Sequence, residues 1–281
     1  MSRHPDPSVL YRPITATPFR RDASYMELEP CAALRPYIRC FWGTPEPIRT
    51  SEVVSASPSL IIPDTCMDII ITLNYQQNTM VNHFCALDER AYAADSGVPD
   101  NALTSTFAIR FYAWTATLFV EHPLNGSKNQ NYRVGDFFTS LEKKLTPMLM
   151  SITSLNKRAE IASQYLLQHL REDRLNPTLM NAVYQIITAR GAMRISELAA
   201  RDAVSRKHLE RIFDEHMGLS PKSFSSLVRY QLLWQELSSG RDDHVLDLVE
   251  KYGYFDQAHL LNDFKQRHTL TPAQAVLWAR K

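Results

Sequence analysis

The sequence predicts an α+β protein with a sheet-based N-terminal part, a short helical segment and an all-α C-terminal domain. Three observations carry that prediction. Twelve of the 16 prolines fall before residue 136, among short apolar stretches bounded by turn formers, and this is the punctuation of strands. From Asp136 onward apolar residues recur at the three- and four-residue intervals of helices. The final third contains an internal repeat built from helix-forming residues.

A chain of 281 residues is long enough for two domains of ~100 to 200 residues, each burying a core. With 44% hydrophobic and 22% charged residues it has the composition of a globular protein. The longest apolar runs, Ser59 to Pro63 and Met67 to Leu73, are strand-sized and fall short of the ~18 residues of a membrane span. Met1 to Pro13 holds no apolar stretch of signal-peptide type, so a soluble, cytoplasmic protein is expected. The four cysteines, Cys31, Cys40, Cys66 and Cys85, form no C-x-x-C pair and read as reduced, buried thiols.

In chain order, strands are predicted at Ile38 to Trp42, Ser59 to Ile62, Met67 to Leu73 and Thr106 to Phe119. Phe137, Phe138, Leu141 and Leu145 mark a first helix, and Leu155, Ala159, Ala162 and Leu166 mark a second over about 154–170. Arg171 to Pro177 is polar and ends in Asn-Pro, which predicts a linker and a boundary near 172–176. Three regions follow: 1–135, 136–175 and 176–281. The last carries 14 Lys and Arg against 12 Asp and Glu, or +2, within a whole-chain charge of +1. A strongly basic nucleic-acid signature is therefore absent, and any such function must rest on local placement.

Sliding 204–224 against 255–275 at an offset of 51 aligns His208 with His259, Leu209 with Leu260, Phe213 with Phe264, Leu219 with Leu270, Ser220 with Thr271 and Pro221 with Pro272. In the first copy Ser205 is a good N-cap for a helix through Met217, Gly218 a C-cap, and Ser220 with Pro221 a new helix start. In the second copy Gly253 supplies the turn and Asp256 caps a helix through Arg267. Each copy is a helix-turn-helix unit, and a long helix from Pro221 to Ser238 joins them. The second helix of such a unit fits a major groove; duplication for packing alone is the alternative.

Ile195 to Ala199 (ISELA), Ser205 to Phe213 (SRKHLERIF), Gly218 to Phe224 (GLSPKSF) and Gly253 to Pro272 (GYFDQAHLLNDFKQRHTLTP) together resemble the DNA-binding domain of AraC/XylS-type transcription regulators over roughly 177–279. Three positions depart from the family pattern: Thr269 stands at a usual glycine, Asn262 at a usual arginine, and Ala203 at the turn glycine of the first copy. The resemblance implies double-stranded DNA as partner and an outward face of Arg206, Lys207, Glu210 and Arg211 on the first reading helix. Arg211 or Lys207 suits guanine and Glu210 suits cytosine. On the second helix Gln257, Ala258, His259 and Asn262 face outward, with Gln257 and Asn262 suited to adenine and Ala258 to a thymine methyl. Phosphate contacts are expected at the helix starts, Ser205 and Asp256, and from Lys222, Lys265 and Arg267. The two matched histidines, His208 and His259, equally suit local helix-end contacts.

In the first region Leu34 to Gly43 (LRPYIRCFWG), Ile61 to Thr72 (IIPDTCMDIIIT) and Phe107 to Trp114 (FAIRFYAW) resemble the N-terminal, cupin-like sensor domain of a subset of these regulators. The fold this implies is a cupin-like β-barrel with dimerisation helices, followed by an all-α domain of two helix-turn-helix units. An effector site of Trp42, Asp68, Arg110, Tyr112 and Trp114 is expected within the barrel. An Asp68 to Arg110 pair locking the sheet, and tryptophans serving as core, are equally open. The stripe Leu155, Ala159, Ala162, Leu166 suits either a two-fold contact between copies or packing on the barrel.

Before the linker the chain offers only His4, His83, His122 and His169, and no H-x-H, so no metal or other cofactor is expected. G-x-S-x-G, H-E-x-x-H and glycine-rich phosphate loops are also absent. The expectation is a cytoplasmic, homodimeric transcription activator, not an enzyme, that contacts DNA and RNA polymerase under a small-molecule effector. A regulator controlled by a protein partner is the alternative.

Overall fold

The computed structural model describes residues 6–14, 24–52, 59–94, 101–239 and 245–279. His4 and the first five residues lie outside that set. The strands are β1 (Met26–Leu28), β2 (Ile38–Gly43), β3 (Ile48–Arg49), β4 (Ser59–Ile61), β5 (Cys66–Asn74), β6 (Thr79–Cys85), β7 (Tyr92–Ala94), β8 (Leu103–Tyr112) and β9 (Asn131–Tyr132). One antiparallel sheet runs β1-β2-β8-β5-β6-β9 with β3 added against β8, and β4 pairs with β7 separately. The α+β class and order of regions are as the sequence predicts, but the barrel is not closed. Among the described residues the hydrogen-bonded path ends at β1 and β9. These edge strands, three and two residues long, offer too little ladder for closure.

Strand alternation sorts the sheet into two faces. On β5, Met67, Ile69, Ile71 and Leu73 are buried, whereas Asp68, Ile70, Thr72 and Asn74 on the opposite face are half-buried. The buried face packs with Phe41, Phe84, Phe107, Ile109 and Phe111 in one hydrophobic cluster. β6 escapes prediction because its outward face is exposed at Val81 and His83, which leaves no apolar run to read. β8 ends at Tyr112, short of the predicted Phe119. There the Thr115 hydroxyl donates to the carbonyls of Tyr37 and Tyr112 (2.8 and 3.0 Å) and turns the chain.

The helices are α1 (Pro7–Leu10), α2 (Val134–Phe137), α3 (Thr139–Leu149), α4 (Leu155–His169), α5 (Pro177–Thr188), α6 (Ile195–Arg201), α7 (Arg206–Met217), α8 (Pro221–Ser238), α9 (Val245–Lys251), α10 (Gln257–His268) and α11 (Pro272–Ala279). None is long and apolar enough to cross a membrane among the described residues. The Asn-Pro that reads as the end of a linker is also the start of α5: Asn176 caps it and Pro177 takes its first position.

The α4 stripe is spent inside its own chain, the second of the two roles the sequence leaves open for it. Leu155, Ala162 and Leu166 are fully buried and Ala159 nearly so, in the same cluster as the sheet face. Arg158 on this helix is buried too. Its guanidinium donates to the hydroxyls of Ser105 (2.9 Å) and Tyr75 (2.7 Å), and burial lowers its pKa.

Two clusters span the predicted boundary. The larger joins the sheet and α2 to α4 with α5 to α7 and the first half of α8. The smaller joins Tyr230, Leu233 and Trp234 of α8 with Leu248, Tyr252, Tyr254, Leu260, Phe264 and Ala275, and takes in Ile62 and Ala91 from the N-terminal part. In the smaller cluster His268 is fully buried. It stacks on Phe264 at 5.0 Å, with its Nδ1 2.7 Å from the Tyr230 hydroxyl.

Leu166→Ala is expected to cost about 2 to 5 kcal/mol of folding stability in denaturant titration. Because the side chain is internal, the oligomeric state in analytical ultracentrifugation should not change, and a variant that dissociates without losing stability would restore the interface reading. Burial also lowers the His268 pKa from 6.5 to about 4. A depressed pKa gives stability that is present above the unfolded value and lost as pH falls through the folded one. Acidification from about pH 6.5 to 4 should therefore remove about 3 kcal/mol through this group. In His268→Gln the acid limb should flatten, and an unchanged limb would assign the loss to other groups.

Candidate nucleic-acid interface

Local chemistry sets both reading helices. The Ser205 hydroxyl accepts from the His208 amide (3.1 Å) at the start of α7, and Gly218, at φ 68°, ends the helix. Asp256 accepts from the His259 amide (2.7 Å) at the start of α10. Thr269, at φ 67°, ends that helix in the same left-handed conformation, where a β-branched residue costs about 1 to 2 kcal/mol. Ala203, also where the family has glycine, takes φ 52°.

Amphipathicity then separates inside from outside. Leu209, Ile212 and Phe213 of α7, and Leu260 and Phe264 of α10, are buried. Ser205, Arg206, Lys207, Arg211, Lys222, Asp256, Gln257, Ala258, His259, Asn262 and Lys265 are exposed, while Glu210 and Arg267 are half-buried. On α7, Arg206 pairs with Glu210 and Arg211 with Glu215, each at 3.0 Å and one helical turn apart. These surface pairs are worth little in water and leave both guanidinium groups accessible. Lys207, Lys222 and Lys265 have no ion pair among the described residues.

Two placements differ from expectation, and a third takes the local helix-end role left open for it. Arg267 is turned inward, 3.5 Å from Asp263 and donating to the Glu89 carbonyl (3.3 Å), so it supports the N-terminal part rather than offering its charge to a phosphate. Asp256 puts a carboxylate at the α10 start where a phosphate was expected, because capping consumes the site. His259 serves the turn: its Nδ1 accepts from the Phe255 amide at 3.3 Å, and its ring meets Tyr254 edge-on.

The N-terminal part grips the far ends of both reading helices. At α7 the Leu124 amide donates to the Glu215 carbonyl (3.1 Å), while Asn125 and Gly126 donate to the Asp214 carboxylate (2.9 and 3.2 Å). Thr117 Oγ1 lies 3.0 Å from His216 Nδ1, and a Cβ on Gly218 would fall 2.7 Å from the Leu124 carbonyl oxygen. At α10 the Ala91 amide donates to the Arg267 carbonyl at 2.6 Å. None of these contacts is visible in periodicity, since each joins a loop to a helix end remote in sequence.

The five residues expected to hold an effector are engaged with one another. Arg110, opposite Asp68 in register, donates to it (2.9 Å) and to Asp64. The Trp42 indole donates to the other Asp68 oxygen (2.8 Å). Tyr112 stacks on Trp114 at 4.7 Å, and Trp114 meets Phe224 of α8 edge-on at 6.1 Å. Arg110, Tyr112 and Trp114 are at most 4% exposed, the packed arrangement that the sequence leaves open beside an effector site. A cavity of about 520 Å³ lies elsewhere, lined by residues 88–92 and 129–131. Sequence reasoning missed Asp88 in that cavity, whose carboxyl is raised to about 7 by burial and by the nearby Asp64 and Asp68 charges.

Residues 198–276 match the family model described as a helix-turn-helix domain, and 26–133 match a domain of unknown function, DUF6597. An uncharacterised HTH-type transcriptional regulator of Haemophilus influenzae is 32% identical over 114 residues, which are 41% of this chain and 37% of that protein. The match thus spans well under half of the relative. A Chromobacterium violaceum transcriptional regulator with an AraC-type DNA-binding domain is 20% identical over 37% of this chain and 94% of its own, with TM-score 0.35. Fatty-acid-bound ToxT of Vibrio cholerae is 7% identical over 92% and 96% of the two chains, with TM-score 0.38. From the capped, twice-repeated unit and the match over 198–276, the C-terminal part of this chain is a helix-turn-helix domain.

Proposed function

We propose that the chain is a sequence-specific DNA-binding transcription regulator, and that its N-terminal part controls how the two reading helices are presented. One observation carries the proposal: both helices bury an apolar face and expose a polar face suited to base edges, Arg206, Lys207 and Arg211 on α7 and Gln257, Ala258 and Asn262 on α10. Arginine and lysine match guanine, asparagine and glutamine match adenine, and alanine matches the thymine methyl. Lys222 and Lys265 supply sequence-independent phosphate contacts.

Activation through RNA polymerase, as a homodimer responding to a small effector, is the finer form of this proposal. The grips at Asp214 and Arg267 support the control it requires, because a signal that loosens either changes the freedom of a reading helix. An effector acts only through different affinities for the gripped and released states. The packed condition of Arg110, Tyr112 and Trp114 favours, as a second mode, a protein partner acting on the outside of the N-terminal part.

The test uses the full chain and duplexes it selects from a random pool. Arg211→Ala should cost about 1 to 3 kcal/mol of binding and relax preference at one base position. Lys265→Ala should weaken all sequences alike and lower the salt slope by about one. A footprint and base preference unchanged by Arg211→Ala would falsify the assignment of α7.

A further inference from the structure

The two helix-turn-helix units differ by one residue in the turn, and that residue is exposed. In the first, only Val204 separates left-handed Ala203 from the N-cap Ser205. In the second, Tyr254 and Phe255 separate left-handed Gly253 from the N-cap Asp256. Tyr254 takes the interior place. It is buried, its hydroxyl donates to Asp263 (2.9 Å), and the Arg229 guanidinium lies over its ring at 4.3 Å.

Phe255 is therefore turned out. At 90% exposure it is the most exposed large apolar side chain among the described residues, and it opens an unbroken exposed run, 255–259. Its backbone is nevertheless fixed. The Tyr254 amide donates to the Val249 carbonyl (2.9 Å), and the Phe255 amide donates to His259 Nδ1 (3.3 Å). An aromatic ring carried on a fixed backbone and exposed to water immediately before a base-reading helix presents apolar surface that a contact would cover.

We infer that Phe255 is a specificity-determining contact of the second unit, reading the 5-methyl group of a thymine at the edge of the bases faced by Gln257 and Ala258. The inference rests on the DNA-binding proposal above and adds to it a residue outside the reading helix itself. A thymine methyl is the apolar feature of the major groove, and a phenyl ring is among the side chains that meet it. Thymine is thereby distinguished from cytosine and from uracil, neither of which carries the methyl.

The test compares wild type, Phe255→Ala and Gln257→Ala on duplexes selected from a random pool by the full wild-type chain, scanning each thymine to uracil. Phe255→Ala should bind about tenfold more weakly, with its melting temperature and salt slope unchanged because the ring is solvent-exposed and uncharged. At one position uracil should weaken wild type severalfold and leave Phe255→Ala unaffected. If Gln257→Ala weakens binding while Phe255→Ala does not, or if the two proteins give the same uracil profile, the role of Phe255 is overturned and the DNA-binding proposal stands. If neither substitution nor Arg211→Ala affects binding, both fall together.

Discussion

Burial of α8 on nearly every side is the constraint from which the rest of the molecule follows. Its first half, with Phe224, Leu227 and Val228, completes the cluster shared by the first helix-turn-helix unit and the sheet. Its second half, with Tyr230, Leu233 and Trp234, is the centre of the second unit. Between them the fully buried Gln231 amide donates to the Pro63 carbonyl (2.7 Å) and accepts from the Ile14 amide (3.0 Å). A buried amide that lost either partner would leave a group unsatisfied at a cost of about 1 to 3 kcal/mol. The N-terminal part is thus fixed to the rod that spaces the two units, as well as to the ends of both reading helices.

Charge placement follows the same division between inside and outside. The nearly neutral chain puts the most buried ion pair among the described residues, Arg110 with Asp64 and Asp68, in the interior of the N-terminal part. A buried ion pair is weak support for stability, though losing one partner is costly. Its effect here is to hold β5 and β8 in register and fill the space where an open ligand site was expected. On the C-terminal part, by contrast, Arg206, Lys207, Arg211, Lys222 and Lys265 remain at the surface, and the pairs on α7 are easily exchanged for phosphates or bases.

Legibility in the sequence varied with the range of the forces involved. Caps such as Ser205, Ser220 and Asp256 were readable because an N-cap depends on its own residue and the amides two or three positions on. The extents of α7 and α8 were readable for the same reason, helped by Gly218 and Pro221. β6 was not, since strand identity came from its neighbour β5 rather than from its own exposed residues. Arg267 read as a phosphate ligand because only the fold brings Glu89 beside it, and the one-residue difference between the turns was hidden by aligning the copies at a constant offset.

By itself the sequence determined the α+β class, the order of its parts, the twice-repeated helix-turn-helix unit and the polar face of each reading helix, because periodicity, capping and turn chemistry act over a few residues. Tertiary structure alone decided that the sheet stays open, that the α4 stripe is core, that the Arg110 cluster is closed on itself and that the N-terminal part holds both reading helices. Each of these outcomes depends on which distant groups meet and exclude water, and a pattern along one chain does not contain that information.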